Sequence, residues 1–135
     1  MADKPSRVDW RGADLRGVSM AGMNLEGVDL RAADVSGANF SGSNLRYSDF
    51  RGATAHGTNF QNASLYAAKM QGLEAKHADF RGTDLRQVNF GGAYLEGAMM
   101  PAVADERAAF EKILKNEVNE AKAKSREKES EGIER

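Results

Sequence analysis

Every fifth residue from Trp10 to Met100 is apolar: Trp10, Leu15, Met20, Leu25, Leu30, Val35, Phe40, Leu45, Phe50, Ala55, Phe60, Leu65, Met70, Ala75, Phe80, Leu85, Phe90, Leu95 and Met100. Five is neither the two-residue period of a strand nor the 3.6 of a helix, so each unit must combine an extended piece with a bend. Small or apolar residues stand two before many centres, among them Val8, Ala13, Val18, Ala33, Ala38, Ala53, Ala63, Ala78, Val88 and Ala98. Positions two apart on a strand share a face, so both point inward. Asp or Asn lies between them in twelve of nineteen units, facing outward and able to bond nearby backbone. Glycine follows most centres by two, as at Gly12, Gly17 and Gly82, where a tight turn with positive φ is expected.

Strand and turn in alternation wind the chain into a coil, and the centres predict its number of sides. Four units apart, six of fifteen centre pairs are identical, against two of sixteen at three units. Two units apart gives five of seventeen, but a two-sided coil leaves no room for an inward residue from each side. Four sides and twenty residues per coil follow. Phe40, Phe60 and Phe80 then stack on one side and Leu25, Leu45, Leu65 and Leu85 on the next. Where the centre shrinks to Ala75, Leu73 replaces the usual alanine, so volume moves within the unit instead of being lost.

Units such as Ala13-Asp14-Leu15-Arg16-Gly17, Ala38-Asn39-Phe40-Ser41-Gly42 and Ala78-Asp79-Phe80-Arg81-Gly82 closely resemble the pentapeptide repeat family, whose unit reads A(D/N)LxG or A(D/N)FxG. The resemblance implies an all-β solenoid, a right-handed quadrilateral β-helix of about 4.5 coils, with the handedness taken from the family. At about 4.8 Å per stacked strand such a rod is roughly 22 Å long and has no room for a wide cavity.

Residues 1–5 read as a polar leader and 6–101 as the solenoid, with Trp10 covering its lower end. After Met99-Met100-Pro101 the pattern becomes helical. Phe110, Ile113, Leu114 and Val118 form one stripe, so 102–122 is expected to be an amphipathic C-terminal α-helix. Its first role is to cap the open strand edge. The same stripe suits pairing two chains into a homodimer, and the resemblance favours that alternative, because family members that protect DNA gyrase dimerise through a C-terminal helical segment. Residues 123–135 are a charged extension of the helix or a disordered tail.

Chemistry is nearly absent from the pattern. His56 and His77 have only Glu74 and Glu96 as imaginable helpers, too few for a designed metal site, and the glycines recur for turns, not for phosphates. No catalytic residue, cofactor or metal is expected, and a filled solenoid lacks an enzyme's pocket. Asn39-Phe40-Ser41 and Asn62-Ala63-Ser64 fit the glycosylation sequon but fall out of the repeat. With no cysteine, signal peptide or apolar span, a cytoplasmic protein that avoids membranes is expected.

Two surface features remain. Asp9, Asp29 and Asp49 stand beside Arg11, Arg31 and Arg51 as opposed charge columns, readable as a solvated ladder. Arg46, Tyr47, Tyr66, Arg86 and Gln87 gather on the fourth side and its corner, where Tyr47, Ala67 and Gln87 replace glycine. Tyrosine and arginine often anchor protein interfaces, so this cluster is the candidate partner-binding surface. The leading expectation is a non-enzymatic interaction module, a rigid rod presented to a protein partner of unknown identity.

The alternative implied by the resemblance is a DNA-mimic protein that binds and protects DNA gyrase or topoisomerase. Residues 1–100 carry eleven acidic and eleven basic side chains, so the rod is neutral where mimicry needs a strongly negative face. Direct nucleic-acid binding is not expected either, because aspartates interleave the arginines.

Overall fold

The computed structural model describes residues 8–101. The capping and pairing roles of Phe110, Ile113, Leu114 and Val118, the tail and the polar leader lie outside the described residues.

Backbone pairing fixes the lap. Parallel bridges join Asp9 to Asp29, Asp14 to Asp34, Ser19 to Asn39 and so on to Asp79 with Met99, always twenty residues apart. Turns recur every five residues, so each lap has four sides, as the apolar columns predict. From Trp10 to Ala75 the units repeat one set of bonds. The Trp10 amide donates to the Asp29 carbonyl at 2.8 Å, Gly12 donates to Arg31 at 2.9 Å, and Ala13 donates back to Trp10 at 3.1 Å, closing the turn. The third residue of that turn has φ 69°, as a type II turn requires. The coil therefore satisfies its own turn and pairs with its neighbour through the same five residues.

Six turns hold this left-handed conformation without glycine: Ala32, Tyr47, Asn62, Ala67, His77 and Gln87, with φ between 59° and 64°. A side chain there costs about 1–2 kcal/mol, and Asn tolerates it best. At Ala32, Tyr47, Asn62, Ala67 and His77 the turn amide donates to the next coil and so holds the backbone in place, as where the Tyr47 amide donates to the Tyr66 carbonyl at 2.9 Å.

Inside, Phe40 stacks on Phe60 and Phe60 on Phe80, with ring centroids 5.6 Å and 5.0 Å apart and planes 9° from parallel in both pairs. Phe50 meets Phe40 and Phe60 edge-on, and Phe90 meets Phe80 likewise. Leu25, Leu45, Leu65 and Leu85 form the adjoining buried column. Leu73 is fully buried beside Ala75, which is where the exchange of volume between the two positions puts it. Trp10 is only partly buried and packs against the lower end of the core.

Candidate partner-binding surface

The outer face is organised by a contact between residues two apart. In each Asp-x-Arg unit the turn brings the arginine back over its own aspartate. Arg11 donates through Nε to Asp9 Oδ1 at 2.8 Å and through Nη2 to Oδ2 at 2.7 Å, while its amide also donates to Oδ1. The same fork forms at Asp14–Arg16, Asp29–Arg31, Asp49–Arg51, Asp79–Arg81 and Asp84–Arg86. Arg11 Nε also lies 3.7 Å from Asp29 Oδ2 on the next coil, and Arg31 repeats this with Asp49. The guanidinium hydrogen bonds hold the Asp9 and Asp14 carboxyls down to about 2. The charge columns are thus bidentate pairs closed within one unit, with a weaker rung between coils.

One arginine departs from the rule. Residues 8–101 contain seven arginines, and Arg46 alone follows asparagine, Asn44, instead of aspartate. Asn44 Oδ1 still accepts from the Arg46 amide at 3.2 Å, so the turn is kept. Its Nδ2 donates down the column, to Asn24 Oδ1 at 3.1 Å and Glu26 Oε1 at 3.5 Å. Without an acceptor fork, the Arg46 guanidinium lies 4.8 Å from the Tyr66 ring centre and 5.7 Å from that of Tyr47.

Arg86 approaches Tyr66 at 5.4 Å while keeping its fork to Asp84. Tyr47 and Tyr66 meet edge to face at 5.8 Å. Four of the predicted residues, Arg46, Tyr47, Tyr66 and Arg86, are therefore one continuous contact set. Gln87 stands exposed on the same corner, two turns of the coil from Tyr47.

Tyr47 is 51% exposed although its ring has two partners. It also lines an open groove of about 470 Å³, shared with Gly27, Asp29, Arg31, Asp49, Arg51 and Lys69 among others. Sequence reasoning found the cluster but not this groove, because a recess at a corner depends on how far Tyr47 stands out from Gly27 below it.

His56 is accounted for locally. His56 Nδ1 accepts from the Lys76 amide at 3.1 Å and its Nε2 lies 3.7 Å from Glu74 Oε1. Among the described residues no group of three or more His, Cys, Asp or Glu is placed to hold a metal ion. None of their helices is long and apolar enough to cross a membrane.

Comparison with known proteins places this geometry. The family model for pentapeptide repeats matches in eight copies over residues 6–31, 33–72 and 63–100. No curated protein matches the chain. Among solved structures, the trypsin-treated form of QnrB1, described as a plasmid-mediated fluoroquinolone resistance protein, is 24% identical with a TM-score of 0.47, over 67% of this chain and 54% of that one. The chain thus spans about half the length of that structure. The pentapeptide repeat protein alr5209 from Nostoc PCC 7120 is 25% identical with a TM-score of 0.46, over 69% of this chain and 84% of that one. Rfr23 from the cyanobacterium Cyanothece 51142 is 22% identical with a TM-score of 0.40, over 65% of this chain and 88% of that one. Pentapeptide repeat proteins are right-handed quadrilateral β-helices, and with its five-residue units and twenty-residue lap this chain belongs to the pentapeptide repeat family.

Proposed function

We propose that the protein is a non-enzymatic interaction module whose rigid rod presents Arg46, Tyr47, Tyr66, Arg86 and Gln87 to a protein partner. The observation that carries this reading is the concentration of backbone strain at that corner. Tyr47, Ala67 and Gln87 are three successive non-glycine residues at positive φ in one column, whereas each other corner has one. Glycine would remove that cost, so these side chains are retained against local stability, as at sites kept for binding. The stack supplies preformed aromatic and guanidinium anchors on a backbone bonded on both sides, so docking needs little rearrangement.

The test is capture from host lysate by the full chain against its Tyr66→Ala/Arg86→Ala double variant. Loss of the captured partner supports the surface, and unchanged capture of every partner removes it.

The gyrase-protecting alternative is disfavoured by the fork geometry. Six aspartates each carry an arginine on both carboxylate oxygens, which breaks up the negative field that DNA mimicry requires. Inhibition of gyrase supercoiling by the purified protein, or protection of gyrase from a quinolone, would reverse this preference.

A further inference from the structure

Arg46 is the one guanidinium in the described rod whose own unit gives it no carboxylate. Glu26, one coil below, does not replace that partner, since its Oε1 accepts from Asn44 Nδ2 and no ion pair joins it to Arg46 among the described residues. Arg86, across Tyr66, is already bound to Asp84. Among the described residues the stack thus sets two guanidiniums against the Asp84 carboxylate, which is forked to Arg86 and only feels Arg46 through space, so Arg46 has no carboxylate fork of its own and lies against the two tyrosine rings. The exposed Lys69 lines the same groove as Tyr47; it forms no close ion pair among the described residues but lies in the field of Asp49.

We infer that this corner is an acidic-peptide site, in which Arg46 takes an Asp or Glu carboxylate of a partner protein while an adjacent apolar side chain rests on Tyr47. The inference rests on the interaction-module reading and adds the chemistry of the partner. An unpaired guanidinium completes two parallel hydrogen bonds to a carboxylate, the fork seen six times elsewhere on this rod. A discrete carboxylate fits better than a nucleic-acid backbone. Asp84 beside Arg86 and Arg46, and Asp29 and Asp49 in the Tyr47 groove, interrupt the positive surface that a continuous row of phosphates needs.

The rod offers its own control. Asn44→Asp recreates the Asp-x-Arg unit and occupies Arg46 from within, using a pair that the fold already accommodates at six places. A random dodecapeptide library panned on the full chain is expected to enrich sequences with Asp or Glu next to an apolar residue. The best peptide, fluorescein-labelled, is expected to bind about tenfold more weakly to both Asn44→Asp and Arg46→Gln, the loss of one charge-assisted pair. Arg81→Gln, on another side, should leave binding unchanged, and thermal unfolding should show Asn44→Asp folded.

Failure to enrich any peptide, enrichment without acidic residues, or undiminished affinity in both Asn44→Asp and Arg46→Gln overturns the inference. If Tyr47→Ala and Tyr66→Ala weaken the peptide while the two charge variants do not, the surface stands and its acidic preference falls. If none of the four matters, both fall. Tighter, Arg46-dependent binding of a 20-mer oligothymidylate would reassign the site to polyphosphate. A solution mass that drops from dimer to monomer in Asn44→Asp would reassign it to a second copy of the chain.

Discussion

Phe60 lies flat over Phe80 with ring centroids 5.0 Å apart and planes 9° from parallel, although twenty residues separate them in the chain. Phe60 also stacks on Phe40 and meets Phe50 edge-on, so it touches three aromatic rings inside the rod. Phe60→Ala should lower the unfolding free energy by about 3–5 kcal/mol in urea titration, and Phe60→Leu by distinctly less, because leucine refills most of the volume. Equal losses from the two would show that the stacked column does not carry the lap.

The turn glycines should divide into two classes. A Cβ on Gly52 would meet nothing within 4 Å, so Gly52→Ala carries only the left-handed backbone cost, about 1 kcal/mol. A Cβ on Gly82 would run into the side-chain amide of Asn62 on the coil below. Gly82→Ala should therefore cost more than Gly52→Ala. Adding Asn62→Gly should bring it back to the Gly52 value, a coupling readable in a double-mutant cycle of urea midpoints.

Acid should loosen the surface forks only well below the ordinary carboxylate range. The Asp9 and Asp14 carboxyls, held at about 2 by their arginines, lie below the free value of 3.8. A depressed folded value means that the pairs contribute stability fully present above about pH 5 and lost as pH falls through the unfolded value toward the folded one. Carboxyl carbon NMR should place both midpoints near about 2. Arg16→Gln should return Asp14 toward its ordinary range and leave Asp9 in place, because the fork is closed within each unit. Both groups are exposed, so the accompanying change in stability should be small.

Much of this was legible in the sequence because a filled four-sided coil must match volumes every twenty residues, and the phenylalanine and leucine columns record that match. The same register put Arg46, Tyr66 and Arg86 in one column and Tyr47 beside them. The fork between Asp9 and Arg11 was not legible as such. Residues two apart on a straight strand share a face at some distance, and only the turn folds the guanidinium back onto both oxygens. Once that contact is known, the asparagine at position 44 acquires meaning, and Arg46 becomes the odd member of its class. The left-handed backbone at Tyr47 and Ala67 was similarly half visible. A missing glycine marks the position, but the bonds to the neighbouring coils decide that the conformation persists.

Ser48 is fully buried, and its hydroxyl has no hydrogen-bond partner among the described residues, in a column whose neighbours along the rod are Val28 and Ala68. Ser43, at the equivalent place in the preceding unit, donates to the Phe40 carbonyl at 2.7 Å, and Thr83 donates to the Phe80 carbonyl at the same distance. The difference sets opposite expectations for one substitution. Ser48→Ala removes a desolvated polar atom that gains nothing in return and should raise stability by about 1 kcal/mol. Ser43→Ala deletes one of the two donors to the Phe40 carbonyl, which keeps only the Ser43 amide at 3.0 Å, so it should lower stability by about 0.5–1 kcal/mol. Urea midpoints moving in opposite directions would support the assignment. A loss in Ser48→Ala equal to that in Ser43→Ala would mean that the Ser48 hydroxyl is bonded after all.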